Sequence, residues 1–301
     1  MPPPIDMMVG HMALSTRRQF LQTATAVSAY AFTALRRAVA LPFGLPLGLQ
    51  LYSVRDVLPK DYDGTLTKVA ALGYREVEAA GFFGHSAAEV KAAMASAGLH
   101  CVSAHHSMAD LSTKLDEIIA FHKGLGAQYI VCAYPGHKNP PAKGGERTFV
   151  LEDWHWNAEQ FNRIGAKVKA AGFRFGYHNH TPEFVVADGV TPYDELMKLT
   201  DPALVTFEMD CGWVIVGGGD PVALLHKYPN RISMLHVKDF QPSVNPPHAA
   251  QLGHGRIDYG PIFAAAKKGE IKHYFVEQEQ FDIPWQEALK IDADSLRKFK
   301  A

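Results

Sequence analysis

The chain repeats one pattern along most of its length: a short apolar run, an amphipathic helical segment and then a turn, often at a glycine. The apolar runs occupy residues 48–52, 75–79, 99–104, 128–133, 173–178, 204–209, 232–237 and 273–277. They do not alternate strictly between apolar and polar residues, which is typical of parallel strands covered by helices. The pattern therefore predicts eight strands of one parallel sheet.

Helical patterns separate these runs. They occupy residues 62–72, 86–97, 111–125, 153–171, 192–199, 221–225, 261–267 and 285–299. The first four are followed by Gly73, Gly98, Gly126 and Gly172, and glycine readily adopts the left-handed conformation that ends a helix. A helix, a glycine and a strand in succession are the second half of a βαβ unit.

Eight such units can form a closed barrel or a large open sheet. An open dinucleotide-binding sheet would need a G-x-G-x-x-G loop after its first strand, but the sequence there is Gln50-Leu51-Tyr52-Ser53. We therefore predict an α/β fold, a (β/α)8 TIM barrel, that forms one domain over residues 41–301. The long loops at residues 137–145 and 241–255 follow the fourth and seventh strands, and barrel enzymes build their active sites from loops at this end.

The N-terminal segment has the features of a bacterial export signal. Residues 15–21, Ser-Thr-Arg-Arg-Gln-Phe-Leu, match the twin-arginine pattern, an apolar stretch follows, and Ala38-Val39-Ala40 provides a small-residue cleavage site. The apolar stretch is shorter than the roughly 20 residues that span a bilayer, so we expect no stable membrane insertion. We predict that residues 1–40 are a twin-arginine signal, that the twin-arginine export machinery is a partner, and that the mature protein is periplasmic.

The composition excludes some classes of partner. The chain has 30 basic and 31 acidic side chains, and this balance does not provide the basic surface that nucleic-acid binding requires. The 15 histidines favour a metal site, because histidine is the commonest protein metal ligand. Cys101, Cys132 and Cys211 lie in apolar runs, so we expect buried free thiols rather than disulfides. A homo-oligomer is compatible with the sequence.

Polar side chains gather at the C-terminal ends of five predicted strands. They are His105 and His106 on the third, His178, Asn179 and His180 on the fifth, Glu208 and Asp210 on the sixth, His236 on the seventh, and Glu277, Gln278 and Glu279 on the eighth, with Glu183 and Lys238 close by. Because the strands of a barrel are parallel, these ends form one rim. The pattern therefore predicts that the side chains converge on one site.

Imidazole and carboxylate donors together suit one divalent ion of Mn, Zn, Fe, Co or Mg and disfavour a thiolate site. Side chains alternate along a strand, so His178 and His180 share a face. We predict one ligand from each of the last four strands, namely His178, Asp210, His236 and Glu277. His180 or Glu183 is an alternative to His178, and we expect Glu279, beyond the strand, to be solvated.

Six segments carry a resemblance to a known family. They are residues 48–55 (GLQLYSVR), 176–184 (GYHNHTPEF), 209–213 (MDCGW), 236–239 (HVKD), 253–259 (GHGRIDY) and 276–279 (VEQE). In this order they resemble the sugar phosphate isomerase/epimerase family, which has the xylose-isomerase-like barrel. The resemblance covers about residues 46–300, nearly all of the predicted mature chain.

The resemblance implies a metal-dependent TIM barrel. In the ketose 3-epimerases of this superfamily the ligands are Glu, Asp, His and Glu, and the two Glu residues move protons on either face of the ketose. Asp210, His236 and Glu277 match three of these ligands, whereas His178 stands in the place of the first Glu. Members with the Tyr-His-Asn-His segment and an export signal are similar to proteins that act on 3-keto-glycosides by elimination through an enediolate.

Three functions are compatible with these residues. The first is a divalent-metal-dependent sugar isomerase or epimerase, which removes a proton next to the carbonyl of a sugar or keto-sugar through a metal-stabilised enediolate. The second is a lyase or hydrolase of 3-keto-glycosides on the same scaffold. The third is a non-catalytic periplasmic sugar-binding protein. A DNA-repair endonuclease is disfavoured by the net charge and the predicted export.

Individual roles follow from these positions. The candidates for proton transfer are Glu277, His178, Glu183 and Lys238, with His105 nearby. The candidate substrate contacts are Tyr52, Arg55, His105, His180, Trp213 and Arg256, while Trp154 or Trp156 can stack on a sugar. Gly253-His254-Gly255 is the only glycine-rich candidate for a phosphate subsite and a weak one, so we expect a substrate without phosphate.

Overall fold

The strands form a closed barrel in the computed structural model, which describes residues 41–140 and 148–299. In chain order they are β1 Gly48–Gln50, β2 Glu76–Ala79, β3 His100–His106, β4 Tyr129–Cys132, β5 Arg174–His178, β6 Val205–Asp210, β7 Ile232–Val237, β8 Asp239–Phe240, β9 Ala249–Ala250 and β10 His273–Val276. Strands β8 and β9 pair with each other in the loop after β7, and the other eight close a parallel barrel in which β1 pairs with both β2 and β10. The predicted (β/α)8 barrel is confirmed, and the predicted export signal lies outside the described residues.

Helices surround the barrel. They are α1 Tyr62–Ala71, α2 Ala87–Ala97, α3 Met108–Thr113, α4 Leu115–Leu125, α5 Leu151–Ala170, α6 Pro192–Leu199, α7 Cys211–Val216, α8 Pro221–Lys227, α9 Tyr259–Ala266 and α10 Trp285–Leu296. Gly98 and Gly126 end α2 and α4 with φ of 73° and 87°, in the left-handed region that glycine adopts without strain. Within the described ranges, no helix combines the length and the apolar character needed to cross a bilayer.

One predicted helix was wrong and one helix was missed. The helix predicted at residues 111–125 is two helices, α3 and α4, because Lys114 between them has φ −127° and ψ 21°, outside the helical region. Ser107 starts the first of these with a side-chain cap on the backbone N–H of Asp110. Helix α7 was not predicted, because its residues directly continue the apolar run of β6.

Two strand boundaries also differ from the prediction. Strand β1 ends at Gln50, whose side chain accepts a hydrogen bond from the backbone N–H of Tyr52 and starts a 3-10 turn over Leu51–Val54. Tyr52 therefore lies in the turn and is exposed. Strand β3 extends to His106, so that His105 is part of the barrel wall.

An apolar plug fills the barrel interior below the polar strand ends. It consists of Val102, Tyr129, Val131, Met234 and Phe275, which form a buried cluster separate from the main core between strands and helices. Met234 and Phe275 precede His236 and Glu277 by two residues, so the polar side chains stand on the same inner face directly above the plug. The three cysteines are buried and free, as predicted.

Candidate metal centre

Four side chains converge at the C-terminal end of the barrel. His178, Asp210, His236 and Glu277 are all buried, and one donor atom from each lies within 4.8 Å of the others. His178 Nε2 and His236 Nδ1 are each 3.8 Å from Asp210 Oδ2, and His236 Nδ1 is 3.1 Å from Glu277 Oε2. The structure therefore brings together the four predicted ligands, which we call the outer group.

Asp210 shows how the fold orients one ligand. Its Oδ1 accepts a hydrogen bond from the backbone N–H of Trp213 at 2.8 Å and so caps helix α7. Its backbone N–H donates to Asn179 Oδ1 at 3.0 Å. Asp210 Oδ2 is buried, and the ammonium of Lys238 lies 2.8 Å from it without meeting hydrogen-bond geometry. The carboxylate oxygens of Asp210 and Glu277 and the nitrogens of the two imidazoles are donors that divalent ions bind, so the chemistry of the group fits a divalent ion.

Lys238 lies against the outer group. Its Nζ is 2.8 Å from Asp210 Oδ2, 2.7 Å from Glu277 Oε2 and 2.8 Å from Glu279 Oε1. Burial alone would lower the pKa of Lys238, but these three carboxylates raise it above its usual range, so the ammonium keeps its proton. The expectation that Glu279 is solvated was wrong, because its side chain is 22% exposed and accepts a hydrogen bond from the buried Lys238.

A second set of side chains lies beside the outer group inside the barrel. His105 Nε2 is 2.8 Å from both Glu78 Oε1 on β2 and Glu208 Oε2 on β6. We call these three residues the inner group. His178 Nδ1 lies 3.0 Å from Glu208 Oε2 and His236 Nε2 lies 2.8 Å from Glu78 Oε1, so each ligand imidazole has one nitrogen toward each group.

Glu78 is the site residue that the sequence prediction missed. Gln50 Nε2 donates to its Oε1 at 2.7 Å and Ser103 Oγ donates to its Oε2 at 2.6 Å. The available signal was a pair of glutamates, Glu76 and Glu78, on one face of a short strand whose other residues are apolar. Buried carboxylates are rare unless they are paired, so this pattern was informative.

The imidazoles differ in protonation. Burial lowers the pKa of His178 well below its usual value, and the neighbouring His236 and His105 lower it further, which leaves the neutral ring that metals bind. Burial and Lys238 likewise lower the pKa of His180 to about 3. For His105 burial acts in the same direction, but Glu78 and Glu208 outweigh it and raise the pKa to about 9.

The two ligand carboxylates are also shifted in opposite directions. Burial raises the pKa of Asp210 to about 6, against the attraction of Lys238. Burial would also raise the pKa of Glu277, but Lys238 and His236 lower it well below its usual range. Glu277 is therefore ionised at neutral pH, as a base or a ligand must be.

Glu183 is held apart from these donors. It lies in a 3-10 turn, where it accepts hydrogen bonds from the hydroxyl of Tyr177 and, at 3.1 Å, from the backbone N–H of His180. Burial raises its pKa to about 7. In the described part of the chain, neither Glu183 nor His180 belongs to the clustered donor atoms, whereas His178 lies together with the other three predicted ligands.

The predicted substrate contacts differ in how deeply they are buried in the barrel mouth. Tyr52 is 43% exposed at the rim, and Arg55 lies over its ring at 4.2 Å while donating to the carbonyl of Glu279 at 2.9 Å. Trp213 is half-buried beside the outer group, with Lys238 Nζ 4.9 Å from its ring centre and the His180 ring stacked at 6.0 Å. These contacts give the site an aromatic wall.

Arg256, Trp154 and Trp156 were also candidates for contact with the substrate. The Arg256 side chain is exposed and has no partner among the described residues. Trp154 is fully buried and packs on Phe149 at 5.0 Å, and Trp156 packs on the core, so both have a packing role.

The backbone N–H groups of the glycine-rich loop at residues 253–255 are bound to the carboxylate of Asp239. Asp239 Oδ2 accepts hydrogen bonds from the backbone N–H groups of Gly253 at 3.1 Å and Gly255 at 3.0 Å, and Oδ1 accepts from Ile257 at 3.0 Å. A phosphate would need these same donors and would meet a negative charge. The loop therefore does not provide a phosphate subsite.

The barrel is similar to known proteins over most of its length. A family model described as Xylose isomerase-like TIM barrel matches residues 66–299. An inosose dehydratase of Clostridium perfringens is 31% identical over 181 residues, or 53% of this chain and 60% of that protein's length. An inosose dehydratase of Clostridium beijerinckii is 28% identical over 264 residues, or 76% of this chain and 87% of that protein. The structure of a sugar phosphate isomerase/epimerase from Parabacteroides distasonis superimposes with a TM-score of 0.71 at 29% identity and covers 85% of this chain and 99% of that one.

Proposed function

Because the chain belongs to the xylose isomerase-like TIM barrel family, we propose that it is a divalent-metal-dependent enzyme acting on a sugar or keto-sugar. We propose further that it is a carbon–oxygen lyase, which removes a proton next to a carbonyl and expels an oxygen leaving group. The similarity to two inosose dehydratases supports this, since a dehydratase is a lyase. The observation that carries the proposal is the contact between the carboxylate of Glu277 and the ammonium of Lys238 at the outer group.

The outer group fits one divalent ion. His178, Asp210, His236 and Glu277 would hold it, and their nitrogen and oxygen donors suit Mn, Zn, Fe, Co or Mg. When bound, such an ion supplies Lewis-acid polarisation of a substrate oxygen. In the metal-free protein the ammonium of Lys238 lies 2.8 Å from Asp210 Oδ2, so part of the positive charge that this buried carboxylate needs comes from the lysine.

Elimination needs one base and one acid, and both are adjacent here. Glu277 is ionised and can accept the proton from the carbon next to the carbonyl. Lys238 keeps its proton and can donate it to the departing oxygen, with its Nζ only 2.7 Å from Glu277 Oε2. Trp213 and Tyr52 would shield and stack on the sugar at the rim.

Isomerisation or epimerisation is the second candidate, and the similarity to the Parabacteroides distasonis protein supports it. Proton transfer on both faces of a ketose requires two opposed groups that can exchange protons. His178 stands in the place of the first of these two carboxylates, and its Nδ1 is 3.0 Å from Glu208 Oε2. With Nε2 toward the outer group, the ring has no nitrogen left for proton exchange, which disfavours an epimerase. An isomerase that moves a proton along one face needs only one base, and the product assay distinguishes it from the lyase.

The test is metal analysis followed by a product assay. The full chain would be incubated with inosose, with a 3-keto-glycoside and with ketoses, and the products followed by NMR in D2O. We expect one ion per chain and either loss of water or release of an aglycone. Asp210→Ala and His236→Ala should lose both the ion and turnover, whereas Lys238→Met should keep the ion and lose turnover.

Three other outcomes would contradict parts of this proposal. Interconversion of ketoses without elimination would establish the second candidate. Sugar binding without a metal or turnover would indicate a non-catalytic binding protein. Unchanged metal content in both alanine variants would show that the outer group is not the metal site.

A further inference from the structure

We propose that Glu78 and Glu208 are positioning residues that each hold one ligand imidazole, so that the paired groups form a centre for one ion rather than two. Two sets of four donors lie close enough to hold a metal, namely the outer group and the set His105, His178, Glu208 and His236, so composition alone does not show which set binds it. The inference rests on the proposed function, because it takes the outer group as the metal site.

Distances separate the two groups. In the outer group, each imidazole faces Asp210 Oδ2 with one nitrogen at 3.8 Å, which is too long for a hydrogen bond, while His236 Nδ1 is 3.1 Å from Glu277 Oε2. Ligand atoms bound to one ion at about 2.0–2.2 Å lie about 3–4 Å apart, and these outer distances fall in that range. Toward the inner group, His178 Nδ1 is 3.0 Å from Glu208 Oε2 and His236 Nε2 is 2.8 Å from Glu78 Oε1, which are the lengths of hydrogen bonds.

Proton balance points the same way. A metal-bound imidazole keeps one N–H, because its other nitrogen gives its lone pair to the ion. If His178 Nδ1–H donates to Glu208, its lone pair is on Nε2, toward the outer group. If His236 Nε2–H donates to Glu78, its lone pair is on Nδ1, also toward the outer group. A second ion bound by the same two rings on their inner side, in addition to one in the outer group, would require both rings to lose their last proton and bridge two metals.

The inner carboxylates are themselves fixed. Glu78 accepts hydrogen bonds from Gln50 and Ser103 as well as from the imidazoles. His105 joins Glu78 to Glu208 and stacks on His236 with ring centres 5.5 Å apart and planes 6° apart. Since the apolar plug excludes other partners from below, the orientation of both ligand rings depends on this network.

The experiment is a Co²⁺ titration of the metal-free full chain, in wild type and in Glu78→Gln and Glu208→Gln. Glutamine keeps the size of the side chain but removes the charge that makes the imidazole a better ligand. The matched control is Glu76→Gln, which alters the other glutamate of β2. Glu76 also contacts a histidine, His273 Nδ1, at 2.8 Å, but lies two residues away from Glu78 toward the opposite end of the barrel.

We expect one Co²⁺ per wild-type chain and about 10–100-fold weaker binding in Glu78→Gln and Glu208→Gln, the usual cost of losing such a partner. The control should bind like wild type, and the visible absorption of bound Co²⁺ should shift only in the two inner variants. Two ions per wild-type chain, or unchanged affinity in both inner variants, would overturn the inference.

The Asp210→Ala variant distinguishes a failure of the positioning inference from a failure of the proposed function. If Asp210→Ala loses Co²⁺ while the two inner variants bind normally, only the positioning role is wrong. If wild type binds no Co²⁺, or Asp210→Ala binds it normally, the proposed metal centre is wrong and the inference falls with it. A fold control by circular dichroism ensures that weak binding is not caused by unfolding.

Discussion

Replacing Lys238 by methionine tests the electrostatics of the site most directly. Methionine has nearly the length of lysine and no charge, so the change removes an ammonium that is 2.7–2.8 Å from three carboxylate oxygens. The lysine side chain is only 2% exposed. We expect the metal-free protein to lose stability and the metal-bound protein to lose much less.

The expected size follows from these distances. At an effective dielectric constant of about 20, each contact at this distance is worth about 6 kcal/mol of Coulomb attraction before desolvation. Desolvation of the ammonium offsets most of this, and Glu279 is partly screened by solvent. Removing one partner from a buried ion pair costs about 3–5 kcal/mol. For a chain of this size, that corresponds to about 6–20 °C in the Tm of the metal-free protein.

A bound divalent ion would replace the lost positive charge beside Asp210 and Glu277. Because the variant is destabilised more without the ion than with it, linkage requires that it bind the ion more tightly than wild type. The measurement is urea unfolding at pH 7, once with chelator and once with saturating Co²⁺. Lys68→Met is the control, since Lys68 forms an exposed ion pair with Asp61 and should matter little.

Two results would refute this reasoning. One is a metal-free Lys238→Met protein as stable as wild type, which would mean that the carboxylates do not depend on the ammonium. The other is weaker Co²⁺ binding in the variant, which would mean that Lys238 supports the ion instead of competing with it.

Three further predictions concern other parts of the chain. Burial raises the pKa of Asp292 to about 7. The folded state therefore holds this proton more strongly than the unfolded state, whose pKa is about 3.9. The resulting contribution to the unfolding free energy is complete below about pH 3.9 and is lost, by up to about 4 kcal/mol, as the pH rises through about 7. Asp292→Asn should flatten the fall in unfolding free energy between pH 4 and 8, and an unaltered profile would contradict this. Gly165→Ala should destabilise the barrel by about 1–3 kcal/mol in urea unfolding, because a Cβ there would lie 2.5 Å from the carbonyl of Leu204; wild-type stability would show that helix α5 can shift. Replacing Arg17 and Arg18 by lysine should abolish export of the full chain in a cell-fractionation assay, and a periplasmic variant would refute the signal.

The strands and four outer residues were predictable because they follow from local rules. Apolar runs of strand length and glycine-ended helices specify the βαβ repeat, and parallel strands bring their ends to one rim. His178, Asp210, His236 and Glu277 each lie at such an end, so their convergence required no knowledge of packing.

The inner group depended on register, which the sequence does not show. Glu78 is opposite Gln50 on β1 and Ser103 on β3, after a register shift between Val77 and Glu78. One residue of slip turns a side chain to the other face of a strand. Glu279 was misjudged for a related reason, since the position of a side chain beyond a strand depends on the path of the loop, here tied back by Arg55.

Among the described residues, the apolar plug of Met234, Phe275 and their neighbours fills the barrel below the site. We therefore expect substrate, product and water to use the mouth at the rim. A substrate that fills this mouth therefore isolates the proton taken up by Glu277 from bulk solvent until product leaves. Where the enediolate regains a proton on carbon instead of losing its leaving group, turnover in D2O should retain part of the substrate's own hydrogen, and the retained fraction would report how completely the sugar seals the barrel.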